Sequence, residues 1–392
     1  MKIGLMGCEF VSPNKGCEAL TYSIVSVLNK INMIKKDTII YNFSETEIGD
    51  IAKEFTKFKF VKVNPKFKDI SFKFIRALSE CDVIFDATMG DSFSDIYSEK
   101  FYNGLVLKKR IAQFFCKNYI LLPQTYGPFK TKKTESKAKK VFDHALKIYC
   151  RDGMSKELLE DVFGIKDVEL MTDMAFILPF NKSMYSNTLN DKIKIGINVS
   201  GLLYKGGFLS ANQFDLTLNY KEYIEKVIDK LAQNSKYEIH IIPHVIDLNE
   251  NAHDDDYKVS KQIKEKYSEC ILAPVFSNPI QAKSYIANMD IFIGSRMHST
   301  IAAFSSNVIT IPVSYSRKFE GLFNSLNYKY VINGKEHNTD SAFNKTMEFI
   351  ENNNELKKAQ KDSQEYIDKK KKEFELSIEK CIKDALKQKS EE

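Results

Sequence analysis

Arg296 and His298 stand two residues apart in the stretch GSRMHSTIAAF, directly after the apolar run Met289-Asp290-Ile291-Phe292-Ile293. A guanidinium and an imidazole at the turn from a buried strand into a helix are costly unless an anion is held between them and the helix N-terminus. Arginine grips a carboxylate or phosphate with two parallel hydrogen bonds. Histidine, titrating near neutrality, serves as general acid or base. One strand later Tyr315-Ser316-Arg317-Lys318 again opens a helix. Arg296, His298 and Lys318, with Tyr315 beside them, are therefore expected to converge where two successive strands end.

Other polar residues fall at strand ends. In GCEFVSPNKGCEAL, Asn14-Lys15-Gly16 lies just before a helix that starts near Glu18, so Lys15 can meet an anion and Gly16 allows close backbone approach. The loop matches neither G-x-G-x-x-G nor G-x-x-x-x-G-K-[ST]. Gly90, Asp91 and Ser92 in DATMGDSFSDIY form a donor-rich turn, Asp91 accepting from a hydroxyl; alternatively Ser92 and Asp95 form a variant capping box. Gln124 and Tyr126 in LLPQTYGPF suit a hydroxyl-rich ligand. Arg151 ends a strand in IYCRDGMSKELL, facing a ligand or pairing with a carboxylate such as Asp173. His244 ends another strand in IIPHVIDLNENAHDDD. The following Asp247, His253, Asp254, Asp255 and Asp256 match no zinc spacing and read as a solvated acidic loop.

The elements that must position these residues alternate from end to end. Residues 2–7, 38–43, 58–63, 82–87, 119–124, 148–151 and 168–171 read as strands, with helical patterns between most of them. Residues 181–192 are polar and turn-rich, a linker. The alternation restarts with strands at 193–199, 238–243, 271–275, 291–294, 308–313 and 329–332. Strands apolar on both faces, separated by helices, require parallel sheets covered by helices. The expectation is α/β: two doubly wound Rossmann-like domains, 1–180 and 193–340, followed by a helical extension over 341–392 whose lysine and glutamate pairs suit an exposed or docking helix.

Composition narrows the class. The 392 residues are 43% hydrophobic and 28% charged, with a net charge of +6, an ordinary globular balance in which lysine-rich faces read as solvated helix surface and no nucleic acid is expected. The 7 cysteines show no C-x-x-C pairing and read as reduced thiols. Cys8 and Cys17 flank a loop with no histidine nearby in sequence to activate them. MKIGLMGCEF meets Glu9 too early for a signal peptide and no long apolar run follows, so a cytoplasmic protein is expected.

The ordered set Asn14-Lys15-Gly16, Gly90-Asp91-Ser92, LPQTYGPF, Arg151-Asp152 with Ser155, Asp173 with Ala175-Phe176, Pro243-His244, G-x-R-x-H and the later Tyr315 and Lys318 resembles the polysaccharide pyruvyl transferase family. The resemblance implies two Rossmann-like domains facing a central cleft, as in GT-B glycosyltransferases, with the acceptor on the N-terminal and the donor on the C-terminal side. It implies transfer of a pyruvyl group from phosphoenolpyruvate to two hydroxyls of one sugar in a cell-surface polysaccharide or its precursor, giving a cyclic ketal and phosphate. His298 and Arg296 are then the catalytic pair. Lys318, Arg151, His244, Asn14, Lys15, Gly90, Asp91, Ser92, Gln124, Tyr126 and Tyr315 contact substrate, and the scheme needs no metal or cofactor. The acceptor is a sugar or lipid-linked oligosaccharide, in which case Lys369, Lys370, Lys371 and Lys372 offer contact with the inner face of the plasma membrane. One departure stands out: where the family often has GGG or GGD, this chain has Thr88-Met89-Gly90-Asp91. The rival readings are a glycosyltransferase using a nucleotide-sugar on the same scaffold, and an inactive carbohydrate-binding protein.

Overall fold

Short β-branched runs, each followed by a helix with one apolar stripe, build two parallel sheets in the computed structural model. It describes residues 1–65, 72–185, 191–207, 212–247, 249 and 252–391, with backbone alone for 317, 318 and 389–391. The chain divides into two units, one of Met1–Ser12, Leu20–Ile177 and Asp368–Glu392, the other of Pro13–Ala19 and Leu178–Ile367.

In chain order the elements are β1 (Lys2–Met6), α1 (Lys15–Lys30), β2 (Thr38–Phe43), α2 (Ile51–Glu54), β3 (Phe58–Lys62), α3 (Phe72–Glu80), β4 (Val83–Asp86), α4 (Glu99–Phe115), β5 (Tyr119–Gln124), α5 (Lys132–Phe142), β6 (Lys147–Cys150), α6 (Gly153–Glu157) and β7 (Val168–Leu170). They continue as β8 (Ile193–Asn198), α7 (Gly201–Tyr204), α8 (Tyr220–Ala232), β9 (Tyr237–Ile241), α9 (Asp256–Lys266), β10 (Ile271–Leu272), α10 (Pro279–Ile286), β11 (Ile291–Gly294), α11 (Met297–Phe304), β12 (Ile309–Ser314), α12 (Arg317–Ser325), β13 (Ile332–Asn333), α13 (Thr339–Glu351) and α14 (Asn353–Glu391).

The first sheet runs β3-β2-β1-β4-β5-β6-β7 and the second β10-β9-β8-β11-β12-β13, with every strand pairing parallel. Both orders reverse direction once, at β1/β4 and at β8/β11. In such sheets the loops leaving those two strands diverge and open a crevice at their carboxyl ends.

Several expectations are corrected locally. The last strand lies at Ile332–Asn333 instead of 329–332, because Tyr328 and Tyr330 turn into an aromatic cluster with Phe304, Phe323 and Phe349. Ser92 caps no helix: Ser98 is the N-cap of α4 and accepts from the Phe101 amide at 3.1 Å, while Asp95 accepts from the Lys130 amide. Of the expected linker, residues 186–190 lie outside the described residues, and Lys182–Met184 forms a 3₁₀ turn. The expected extension over 341–392 holds most of α13 and then the long α14. The latter buries Leu356, Gln360, Ser363 and Ile367 and then Phe374, Ile378, Ile382 and Ala385, a spacing of three and four that keeps one stripe inward. Among the described residues no helix is long and apolar enough to cross a membrane.

Candidate active site

The loops at the β8/β11 switch of the second unit gather Arg296, His298 and His244 with Asn14 and Lys15. β8 ends in Asn198, which pairs in register with Gly294 at the end of β11. Its side-chain oxygen accepts from the Arg296 amide at 3.0 Å and from Ser299 Oγ at 3.0 Å, so β8 holds the first turn of α11 in place. Arg296 occupies the N-cap position in extended conformation, with no side-chain cap. The first turn of α11 therefore presents its amides without a capping side chain, and His298 sits on that turn, half-buried.

The segment 13–19 belongs to this same unit. Asn14 bridges Val245 in antiparallel fashion, the Lys15 amide donates to His244 O at 3.1 Å and the Ile246 amide donates to Pro13 O at 2.8 Å. Asn14 Oδ1 accepts from the Gly16 amide at 2.9 Å, closing the turn that starts α1. Gly16 is required by contact: a Cβ there would stand 2.4 Å from His298 Nδ1. Lys15 is buried and donates to Glu18 at 2.6 Å.

Arg296 is 8% exposed, and its fork meets Asp256 and Asp254. Nη2 reaches Asp256 Oδ1 at 2.7 Å, Nε reaches the same carboxylate at 3.2 and 3.3 Å, and Nη1 reaches Asp254 at 3.2 Å. Burial opposes the charge on Arg296, but the two carboxylates outweigh it and hold its pKa above the ordinary value. The guanidinium expected to grip an anion is bound here to two carboxylates, which offset the cost of burying its charge. The acidic-loop reading is corrected as well: Asp256 is fully buried and joins three loops. It accepts from the Gly201 amide at 2.8 Å after β8, from the His244 and Val245 amides at 3.2 and 3.0 Å after β9, and from Arg296 after β11. Burial works against ionised Asp256, yet Arg296 and these amides keep its pKa below the usual carboxylate value. A signal was present in the sequence, since Asp256, Val259, Ser260 and Ile263 share the buried stripe of α9.

His244 lies inside this cluster, buried, with neither ring nitrogen hydrogen-bonded among the described residues. Burial pushes its pKa down to about 3, aided by the charges of His298, Arg296 and Lys15 against the pull of Asp256. Tyr315 packs edge-on against Phe214 at 5.1 Å, and the Lys318 side chain lies outside the described residues.

The remaining candidates belong to the first unit. Arg151 is buried and pairs with Asp173 at 2.5 Å, the alternative raised by the sequence, with Nε donating to Thr125 Oγ1 at 3.0 Å. Burial opposes its charge, and Asp173 with Asp91 and Asp152 raises its pKa. Gly90 lies beside it at φ +84°, where a Cβ would stand 2.8 Å from Leu20 and 3.1 Å from Arg151. Ser92 is buried, its amide donating to Thr88 O at 3.1 Å. Gln124 and Tyr126 are core residues instead of ligand-facing ones. Gln124 Nε2 donates to Asp86 O, and Tyr126 packs on Phe93 and Phe142 with its hydroxyl donating to Tyr149 O.

One buried network in this unit leaves no motif or periodicity in the sequence. Lys109, buried, donates to Asp86 and to Thr88 Oγ1, the latter at 2.5 Å, and Tyr119 donates to the same Asp86. It holds Thr88 and Met89 at φ 40° and 53°, ahead of Gly90, in the left-handed region that glycine enters freely. Cys8 lies beside it, and burial, then Asp86, pushes its thiol up to about 12.

A family model described as polysaccharide pyruvyl transferase matches residues 14–317. The chain belongs to the polysaccharide pyruvyl transferase family. The matched stretch opens at Asn14 and takes in Gly16, Arg151, His244, Arg296 and His298. No curated protein matches the sequence. Among solved structures, the UDP-GlcNAc 2-epimerase from Neisseria meningitidis bound to UDP-GlcNAc is similar at 12% identity and TM-score 0.60, over 97% of this chain and 100% of that one. The Anabaena protein Alr3699/HepE in complex with UDP-glucose is similar at 10% identity and TM-score 0.56, over 99% and 100%. Trehalose-6-phosphate synthase OtsA is similar at 8% identity and TM-score 0.56, over 98% and 99%. At these identities the likeness shows the fold alone: the chain has the two-domain α/β fold of glycosyltransferases and epimerases.

Proposed function

We propose that the protein moves a pyruvyl group from phosphoenolpyruvate onto two hydroxyls of one sugar in a polysaccharide or its precursor. The observation that carries this reading is the seating of His298 at the uncapped N-terminus of α11, against Gly16 and beside neutral His244 and buried Lys15. A helix N-terminus favours a doubly anionic donor, and a half-buried imidazole beside it can move a proton.

In this scheme His298 protonates the methylene carbon of phosphoenolpyruvate, leaving an oxocarbenium centre at C2. A sugar hydroxyl adds there and its proton returns to His298. The C2–O bond to phosphate breaks, the second hydroxyl adds to C2, and its proton passes to the released phosphate, closing the ketal. Arg296 acts as a positioning residue: bound to Asp254 and Asp256, it fixes the turn that carries His298. Tyr315 follows β12 in the same unit and is a donor-side contact in this reading.

Incubation of the protein with phosphoenolpyruvate and an acceptor saccharide, followed by mass spectrometry, tests the proposal. The product should gain the mass of one pyruvate less one water, with release of phosphate. Transfer of a glycosyl group from a UDP-sugar with no consumption of phosphoenolpyruvate would overturn it in favour of a glycosyltransferase.

A further inference from the structure

The first sheet has its own switch point, at β1/β4, and α4 turns one side toward it. Phe101, Leu105, Lys108 and Lys109 recur at helical spacing, so they share a side of α4, and all four line a cavity of about 260 Å³ at the carboxyl ends of β1, β2 and β4. Lys109 is taken up by Asp86 and Thr88, which line the same cavity. Phe101 is 41% exposed and Leu105 half-buried, so protein covers this side of α4 only in part. Phe43 after β2 and Met89, held at φ 53° in the strained turn after β4, supply further apolar wall.

Two opposite charges in this cavity stay apart. The carboxylate of Glu9, after β1, and the ammonium of Lys108 are both half-buried, and neither side chain has a hydrogen bond or ion pair among the described residues, nor do they pair with each other. Such a lining selects its ligand by elimination. Glu9, with Glu45 beside it, repels phosphate or carboxylate, and Lys108 repels an amine. A hydrocarbon would bury both charges with no hydrogen bond in return. A neutral ring edged with hydroxyls satisfies both: hydroxyls donate to Glu9, a ring or hydroxyl oxygen accepts from Lys108, and the carbon face lies on the apolar wall. The volume falls just below that of pockets for drug-sized ligands, which limits the guest to a single ring.

We propose that the β1/β4 crevice of the first unit binds one monosaccharide ring, held through its hydroxyls by Glu9 and Lys108 and through its carbon face by Phe43 and Phe101. The binding does not depend on the pyruvyl transfer reading.

Saturation-transfer NMR of the full chain with the methyl glycosides of glucose, galactose, mannose and N-acetylglucosamine, in the absence of phosphoenolpyruvate, tests the site. At least one glycoside should receive saturation, strongest at the carbon-bound protons of one ring face, and its titration gives a dissociation constant. Glu9→Ala and Lys108→Ala should each weaken binding about tenfold or more, the loss of a hydrogen bond to a charged group. Both variants should keep the wild-type melting temperature, because neither side chain has a protein partner among the described residues. Phe114→Ser, exposed on the opposite side of α4, should bind like wild type. The proposal is overturned if no glycoside is saturated, if both charge variants bind as tightly as wild type, or if a zwitterion such as free leucine occupies the site and the glycosides do not. Because no donor is present, none of these outcomes depends on whether pyruvate is transferred.

Discussion

Replacing His298 with alanine removes a half-buried ring from the first turn of α11, so the melting temperature should hold while turnover falls by about 10²-fold or more, the usual contribution of a general acid-base group. Ketal formation within a few-fold of wild type would remove His298 from the chemistry. Gly16→Ala tests the same ring from the other side: its Cβ, 2.4 Å from Nδ1, must displace the imidazole, and a misplacement of about 1 Å costs about 10²-fold in turnover. Arg296→Ala should behave differently. It leaves fully buried Asp256 uncompensated, so about 3–5 kcal/mol of unfolding free energy should be lost in urea titration. His244 sets a pH signature. Its pKa lies near 3 in the folded chain against 6.5 ordinarily, so between those values the unfolded chain binds a proton that the folded chain refuses. Its contribution is fully present above about pH 6.5 and falls by about 1.4 kcal/mol per unit as the pH drops toward 3. His244→Gln should flatten that slope in urea titrations between pH 7 and 5. An equal slope in both proteins would contradict a buried neutral imidazole.

Elements hold these residues by devices that differ between the two units. In the second, α9, α11 and the turn before α1 are tied together by Asp256, Asn198 and the Asn14–Val245 bridge. In the first, the turn after β4 takes a glycine-like conformation through Thr88 and Met89, supported by Lys109 and Asp86. Gly90→Ala should therefore destabilise by about 1–2 kcal/mol from backbone conformation alone, with contact against Leu20 adding to it, as read from chemical unfolding. The tail of α14 is structural in the same sense. Ending the chain after Ile367 would expose the surface that Phe374, Ile378 and Ile382 cover and remove the 2.6 Å bond from Tyr149 to Ser377. Each such side chain contributes about 1.5–3 kcal/mol, so calorimetry should show the first unit melting much earlier or failing to fold. A truncated chain with an unchanged thermogram would leave α14 without that role.

For the protein as a whole, a donor that binds only the folded state should stabilise it by about 2.7 kcal/mol at a hundredfold excess over its dissociation constant, visible as a raised melting temperature with phosphoenolpyruvate. His298→Ala should keep most of that shift, because proton transfer acts in the transition state more than in binding. Strong stabilisation by a UDP-sugar and none by phosphoenolpyruvate would sink the reading. Period and spacing alone determined much of this protein. The two parallel sheets follow from apolar runs at regular intervals, which only helix-covered strands can bury, and the stretch from Asn14 through His298 follows from residue types at their carboxyl ends. Which polar groups face each other was decided by tertiary structure. Asp256 looked solvated in sequence and is the buried anchor of Arg296; Tyr126 looked like a ligand contact and fills an aromatic core; Lys109 and Asp86 showed no sign of their pairing. The reason is physical: strand and helix periodicity are local, whereas the partner that compensates a buried charge comes from a different strand's loop, 40 residues away for Asp256 and Arg296, and is known only once the sheet order sets those loops side by side.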